Sequence, residues 1–139
     1  MKSTKYLLAP IIIAAFLLAG CATEFAWRKA AVEPYRIATI TANYIMDTAD
    51  SFLEMGRITA EQHAQIKTLY NKGEKIHEQA GKALKIANDA VDVQERDAWL
   101  AEYDRILTEL RELVYNLIDM AEEWGILGAN TAKALRLSF

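Results

Sequence analysis

Glu74 and His77 lie three positions apart. Their types and spacing come closer to those of a metal-binding pair than any others in the sequence. On a helix this spacing puts the carboxylate and the imidazole on one face, and in ferritin-like bundles such a pair binds metal. A site of that kind needs the pair twice, together with a glutamate from each of two other helices. This sequence contains the pair once. Because Lys72 and Lys75 lie beside Glu74, we predict a solvated surface here, with metal binding by Glu74 and His77 as the alternative.

Five carboxylates at helical spacing form a second group in the last third of the chain. They are Glu109, Glu112, Asp119, Glu122 and Glu123. Opposed carboxylates bind hard cations, but the sequence has no calcium loop with alternating aspartates. Their positions lie mostly opposite an apolar seam, which predicts a hydrated surface. We predict that His63 is a surface residue as well.

The sequence contains none of the patterns that prepare a catalytic nucleophile or a phosphate site. It has no nucleophile elbow, no glycine-rich phosphate loop and no haem-attachment pattern. We therefore expect a protein that is not an enzyme and uses no cofactor. Four aromatic residues are candidates for a binding groove, since aromatic side chains are enriched at interfaces. They are Trp99, Tyr103, Tyr115 and Trp124, and three of them occupy seam positions, which favours packing in the core.

The only cysteine, Cys21, follows a segment with the features of a secretory signal. Two lysines precede an apolar run from Tyr6 to Leu18, and small residues follow that run. The alternative is an uncleaved transmembrane helix, because residues 6–23 carry no charge and reach the lower edge of spanning length. Pro10 inside the run and the small residues at its end favour cleavage.

The four residues Leu18-Ala19-Gly20-Cys21 resemble the lipobox of bacterial lipoproteins. The resemblance implies cleavage after Gly20, a diacylglycerol thioether on Cys21, and a further acylation of the new amine, for example with palmitate. Two or more acyl chains give a lasting anchor, since each buried CH₂ contributes about 0.8 kcal/mol. Ala22 replaces the aspartate that commonly retains lipoproteins in the inner membrane of enteric bacteria, which favours the outer membrane and its periplasmic face.

The amino-acid composition limits the classes of protein to which this chain can belong. The chain has 139 residues, of which 53% are hydrophobic, and a formal net charge of −3. The high apolar content excludes a disordered polymer, and the length allows about one domain. The acidic balance and the lack of a basic face argue against a nucleic-acid partner.

Apolar residues that recur every three or four positions predict an all-α fold with three long helices. We expect the first helix to start at Glu33-Pro34, since proline is tolerated in a first turn, and to end at Gly56. The alternative is that residues 25–32 add a kinked first part to this helix. The capping-box pattern from Thr59 to Gln62 starts the second helix, and Asp92 starts the third. Short connections make such helices antiparallel neighbours, so we predict an elongated antiparallel three-helix bundle.

The third helix has the strongest pattern of the three. Two interleaved sets of residues repeat every seven positions with alternating spacings of four and three, as in a coiled coil. The sets are Trp99, Ile106, Leu113, Met120 and Tyr103, Leu110, Leu117, Trp124. In the second helix we predict an apolar side from Ile66 to Val91. At Gly73 we predict that a neighbouring helix approaches closely, and at Gly81 we predict only that the helix tolerates the lower helix propensity of glycine.

These elements divide the chain into four predicted parts. They are a signal peptide over residues 1–20, a lipid-anchored linker or membrane-proximal segment over 21–33, the bundle over 34–124, and a tail over 125–139. Aromatic and basic residues between Phe25 and Lys29 are favoured at a membrane interface. We expect the tail to contain a short helix that is capped by Asn130 or Thr131.

The segment from Gly56 to Gln62 resembles a short sequence motif of small helical proteins found in prophage regions. The resemblance implies an envelope role such as superinfection exclusion or assistance in lysis, and no catalytic or binding residue is carried over with it. We predict a lipid-anchored envelope protein that acts as a structural or protein-interaction module, with an envelope protein as its partner. The alternatives are the prophage accessory lipoprotein and a ligand- or metal-binding helical bundle.

Overall fold

The computed structural model contains four α-helices, which are α1 (Leu8–Glu54), α2 (Ala60–Asp89), α3 (Val93–Glu123) and α4 (Ala129–Leu137). The structure describes the backbone of residues 8–139 and the side chains of residues 28–139. Within that part of the chain there is no strand, so the predicted all-helical class is confirmed. The predicted signal peptide, in residues 1–7 and in the side chains of residues 8–20, lies outside the described residues, as does the side chain of Cys21.

Among the residues that the structure describes, no helix combines the length and the apolar character needed to cross a membrane.

The chain divides into two compact units, one that ends at Val32 and one from Glu33 to Phe139. The predicted start of the first helix at Glu33-Pro34 is wrong, because α1 begins at Leu8 and Pro34 lies inside it. A proline inside a helix costs about 3 kcal/mol through its missing N–H and its ring. The residues before it include many alanines, the strongest helix former, so the helix continues on the N-terminal side of the proline.

Glycines in the left-handed conformation end two of the helices. Gly56 has a φ of +67° and Gly125 a φ of +71°. After α1, the N–H of Arg57 donates to the carbonyl of Phe52 at 2.8 Å and that of Gly56 to Leu53 at 2.9 Å. This pair of bonds is the Schellman motif, which satisfies the last carbonyls of a helix. The predicted end of the first helix at Gly56 is confirmed.

Side-chain caps start α2 and α3 as predicted. The Thr59 hydroxyl accepts from the N–H of Gln62 at 3.1 Å, and the Gln62 amide oxygen accepts from the N–H of Thr59 at 2.9 Å. The Asp92 carboxylate accepts from the N–H of Glu95 at 3.2 Å. Helix α4, by contrast, is capped by Gly128 without a side-chain bond. The predicted cap at Asn130 or Thr131 therefore lies two or three residues too far along the chain.

The core of the second unit lies between α2, α3 and the part of α1 that follows Glu33. Most seam positions of α3 are buried, whereas Trp99, Met120 and Trp124 are half-buried. The buried core residues of the three helices include Ala38, Ile45, Ala49, Ile66, Ile76, Ala80, Ala87, Tyr103, Leu110, Leu117 and Ile118. The predicted apolar side of α2 ends too far along the chain, because Val91 lies in the connection to α3 and is 99% exposed.

Two glycines of α2 face large side chains of neighbouring helices. A Cβ at Gly73 would lie 3.0 Å from Cδ2 of Leu113, so the close approach predicted there is confirmed. A Cβ at Gly81 would lie 2.8 Å from the hydroxyl oxygen of Tyr35. The prediction of simple tolerance at Gly81 is therefore wrong, because the missing side chain leaves the space that the tyrosine occupies.

Helix α4 is held against α3 by an arginine between two carboxylates. One Nη2 atom of Arg136 lies 2.5 Å from an oxygen of Asp119 and 2.7 Å from an oxygen of Glu122. The ring of Phe139 meets that of Tyr115 edge-on at 5.7 Å. The predicted hydrated acidic surface is confirmed for Asp119, whose side chain is 61% exposed, whereas Glu122 is 33% exposed. Their ion pairs with Arg136 were not predicted from the sequence.

Candidate functional site

An open groove with a cavity volume of about 280 Å³ lies where α1, α2 and α3 meet. Its lining has an apolar part and a polar part. The apolar lining is Ala38, Ala42, Gly73, Leu110, Leu113 and Val114, and the polar lining is Thr39, Asn43, Tyr70, Glu74 and His77. A small cavity with an apolar surface and a few convergent polar groups is the usual form of a binding site.

Small residues on two of the helices form the groove. Ala38 and Ala42 lie one turn apart on α1, and Gly73 lies opposite Leu113 of α3. Because these residues lack long side chains, the space above the α3 leucines stays open. A residue with more volume at Ala42 would fill it.

His77 is held at one end of the groove by two residues of α1. Its ring stacks on that of Tyr35, with centroids 3.8 Å apart and an angle of 12° between the planes. The Tyr35 hydroxyl lies 3.1 Å from Nδ1, and Oγ1 of Thr39 lies 2.6 Å from Nε2. The Thr39 hydroxyl also donates to the Tyr35 carbonyl at 3.1 Å.

These contacts fit a neutral imidazole with its proton on Nε2. In this tautomer Thr39 donates its one hydroxyl hydrogen to the Tyr35 carbonyl, and its oxygen accepts from Nε2–H. Nδ1 of His77 then accepts from the Tyr35 hydroxyl. Burial lowers the pKa of His77 below its usual 6.5, and the nearby Glu74 carboxylate opposes this in part. The imidazole is therefore neutral at pH 7.

The two metal candidates lie in the same groove but in different surroundings. Both ring nitrogens of His77 have protein partners, and Glu74 is exposed. The α3 residues that line the groove are apolar, so the carboxylates of α3 do not join the pair. Among the described residues, no group of three His, Cys, Asp or Glu side chains is arranged to hold a metal ion.

Tyr70 lies between carboxylates at the other end of the groove. Its hydroxyl donates to the amide oxygen of Asn43 at 2.8 Å. Burial raises the pKa of Tyr70, and the charges of Glu74 and Asp47 raise it further. Like charge opposes formation of the phenolate, and Glu74, which also interacts with the Tyr70 hydroxyl, is the carboxylate that lines the groove here.

Two other predictions are met in part. His63 lies near the surface, but its side chain is only 15% exposed and its Nε2 lies 2.6 Å from an Asp50 oxygen. Of the four aromatic candidates, Tyr103 is 1% exposed, in agreement with core packing, and burial strongly raises its pKa. Trp99, Tyr115 and Trp124 are half-buried and do not line the groove.

Sequence reasoning found Glu74 and His77 but not their surroundings. Tyr35 and His77 are separated by 42 positions, and Asn43 and Tyr70 by 27. Helical spacing relates residues within one helix, and it gives no register between helices. The one usable signal was Gly81, a helix-weakening residue one turn after His77.

Comparisons of this chain with protein families, with curated proteins and with solved structures gave no match.

Proposed function

We propose that this protein is a lipid-anchored envelope protein whose helical body is a non-enzymatic binding module, and that the groove contacts a partner protein. The observation that carries this proposal is the groove itself, with its apolar floor and polar rim. Interface centres have this mixture, since apolar contact supplies affinity and placed polar groups supply orientation. The groove opens to solvent between helices, where a protruding side chain of another protein can enter.

The architecture that we propose for the helical body is an antiparallel, coiled-coil-like three-helix bundle. Three contacts between α1 and α2 support it, because residue numbers rise along one helix as they fall along the other. The contacts are Asp50 with His63, Asn43 with Tyr70, and Tyr35 with the space at Gly81. The heptad positions of α3 supply the facing seam.

The proposed location rests on the lipobox resemblance of residues 18–21. In this proposal Cys21 carries the lipid, with palmitate on the amine, and the module lies on the periplasmic face of the outer membrane. A module held at the membrane meets partners at a raised effective concentration. Weak contacts through a small groove therefore suffice.

Site-specific photo-crosslinking in the native host tests the groove. A photoreactive residue at Asn43, on the groove rim, is expected to give a discrete crosslink to an envelope protein. The same residue at Gln79, exposed on α2 outside the groove lining, is the control. Adding Ala42→Trp, which fills the groove, is expected to abolish the Asn43 product. Equal crosslinking at both positions, or a product that survives Ala42→Trp, would overturn the proposal.

A ligand- or metal-binding bundle is the second candidate, and the position of Glu74 and His77 in one groove favours it. Zn²⁺, Fe²⁺ or Mn²⁺ at 100 times its Kd stabilises a binding protein by about 2.7 kcal/mol. Thermal unfolding with and without these ions is the measurement. An unchanged Tm with all three ions would end the metal version of this candidate.

A further inference from the structure

We propose that the groove receives a primary ammonium group on a short apolar stem, namely a lysine side chain of the partner protein. The inference rests on the proposed function, since it names the chemistry of the partner at the same groove. Three observations support the inference. They are the negative charge at the groove rim, the aliphatic lining of the groove, and the position of the nearby cations outside that lining.

The charge at the groove is negative. Of the described residues that line it, Glu74 is the one that carries a full charge at neutral pH. Asp47 lies one helical turn after Asn43 on α1, so a second carboxylate lies on the Tyr70 side of the groove, outside its lining. A cation is favoured at such a rim, and a carboxylate or phosphate is repelled.

The nearby cations of α2 lie outside the groove lining, and this includes Lys75, which follows Glu74 in the chain. Lys72 lines a separate depression between α2 and α3, with Glu109 and Glu112. Lys82 is paired with Glu78 at 2.7 Å. His77 adds no full positive charge at pH 7, because burial lowers its pKa below 6.5. Glu74 therefore keeps its charge available at the groove.

The floor suits an aliphatic stem. It consists of alanines, a glycine and branched aliphatic side chains, and the volume of about 280 Å³ is at the small end for ligand pockets. An ammonium group has three donors and no acceptor, so it needs oxygen acceptors. The Glu74 carboxylate supplies these, and the ring of Tyr70 offers a cation–π surface.

Titration of the full-length protein with small probes tests the inference by NMR. The probes are n-butylamine, N-acetyl-lysine methylamide and butyrate, and the signals are the Gly73 amide and the Leu113 and Val114 methyl groups. Both amines are expected to shift these signals in a saturable way, and butyrate is not. Equal shifts with butyrate would overturn the inference.

Two variants with the same change of net charge make the test specific. Glu74→Gln is expected to weaken amine binding by about two- to fivefold, the range for an exposed ion pair. Glu109→Gln, on the separate depression, is expected to leave it unchanged. Both glutamates are exposed, so neither change removes a core contact. Equal weakening by both variants would show a non-specific charge effect and overturn the inference.

The two proposals fail separately. Amine selectivity without a crosslink from Asn43 would refute the protein partner. A crosslinked partner whose capture survives replacement of its lysines would refute the lysine. A groove-dependent crosslink without any preference for amine over butyrate would refute the lysine alone.

Discussion

The hydroxyl of Tyr35 occupies the place of the side chain that Gly81 lacks. A Cβ at position 81 would lie 2.8 Å from this oxygen, which also lies 3.1 Å from Nδ1 of His77. The glycine, the tyrosine and the histidine thus form one contact between α1 and α2. A glycine that weakens helix propensity is used here to admit a polar group at the helix interface.

Gly81→Ala is expected to destabilise the protein, although alanine is the better helix former by about 1 kcal/mol. The added methyl group must displace the Tyr35 hydroxyl, and such overpacking costs about 1–3 kcal/mol. In a Tyr35→Phe background the obstructing oxygen is absent, and the same change is expected to be stabilising. Urea unfolding of the four proteins of this double-mutant cycle measures the coupling. Equal effects of Gly81→Ala in both backgrounds would contradict the contact.

Stability is expected to fall as the pH is lowered from 7 towards 5, in part because of His77. Burial lowers the pKa of this residue in the folded protein below 6.5. Between the two pKa values the unfolded chain binds more protons than the folded one, so acid favours unfolding. The loss begins near pH 6.5, the usual histidine value, and ends below the folded pKa.

His77→Gln removes this titration and serves as the comparison. The difference in free energy of unfolding between pH 7 and pH 5 is expected to be smaller in the variant than in the parent protein. Urea unfolding at both pH values measures it. A larger pH dependence in the variant than in the parent would contradict the neutral, hydrogen-bonded state of His77.

Arg136→Met is expected to loosen α4 from α3 without unfolding the rest of the protein. The substitution keeps an unbranched apolar stem and removes the guanidinium between Asp119 and Glu122. Hydrogen exchange of the α4 amides is expected to accelerate, while the α2 amides stay protected. Lys133→Met removes a positive charge from an exposed position of the same helix and is the control. Equal acceleration by both variants would assign the effect to net charge.

Mass spectrometry of the native protein is expected to show a chain that begins at an acylated Cys21. The lipobox resemblance predicts loss of residues 1–20 and the mass of a diacylglycerol group with a further acyl chain. Cys21→Ser is expected to abolish incorporation of a palmitate analogue. An intact Met1 or a free thiol would contradict the proposed anchor.

Local sequence patterns predicted the local structure well. The Thr59 capping box, the Asp92 cap and the stop at Gly56 depend on neighbouring residues, so they follow from short segments of sequence. Pro34 misled the prediction of the first helix, because a proline fits either the first turn or the interior of a helix that continues on both sides. Tertiary context decides between the two.

The site was less predictable than the helices. Glu74 and His77 share a face by spacing alone, but the partners of His77 come from α1, and the register between helices depends on packing. The same holds for Arg136, whose two carboxylates belong to a different helix. Contacts between residues of different helices depend on how the helices pack, and the periodic pattern of one helix does not specify this.

Pro34 has a consequence for how the chain is cut. It offers no N–H to the carbonyl four residues earlier, so one backbone hydrogen bond of α1 is missing close to the boundary after Val32. Proteases cleave backbone that is locally unfolded. Local unfolding of a helix costs least free energy where a backbone hydrogen bond is already missing. Arg28 and Lys29 are exposed on the N-terminal side of this point. Brief trypsin digestion should therefore release a resistant fragment that retains Tyr35, His77 and the whole groove.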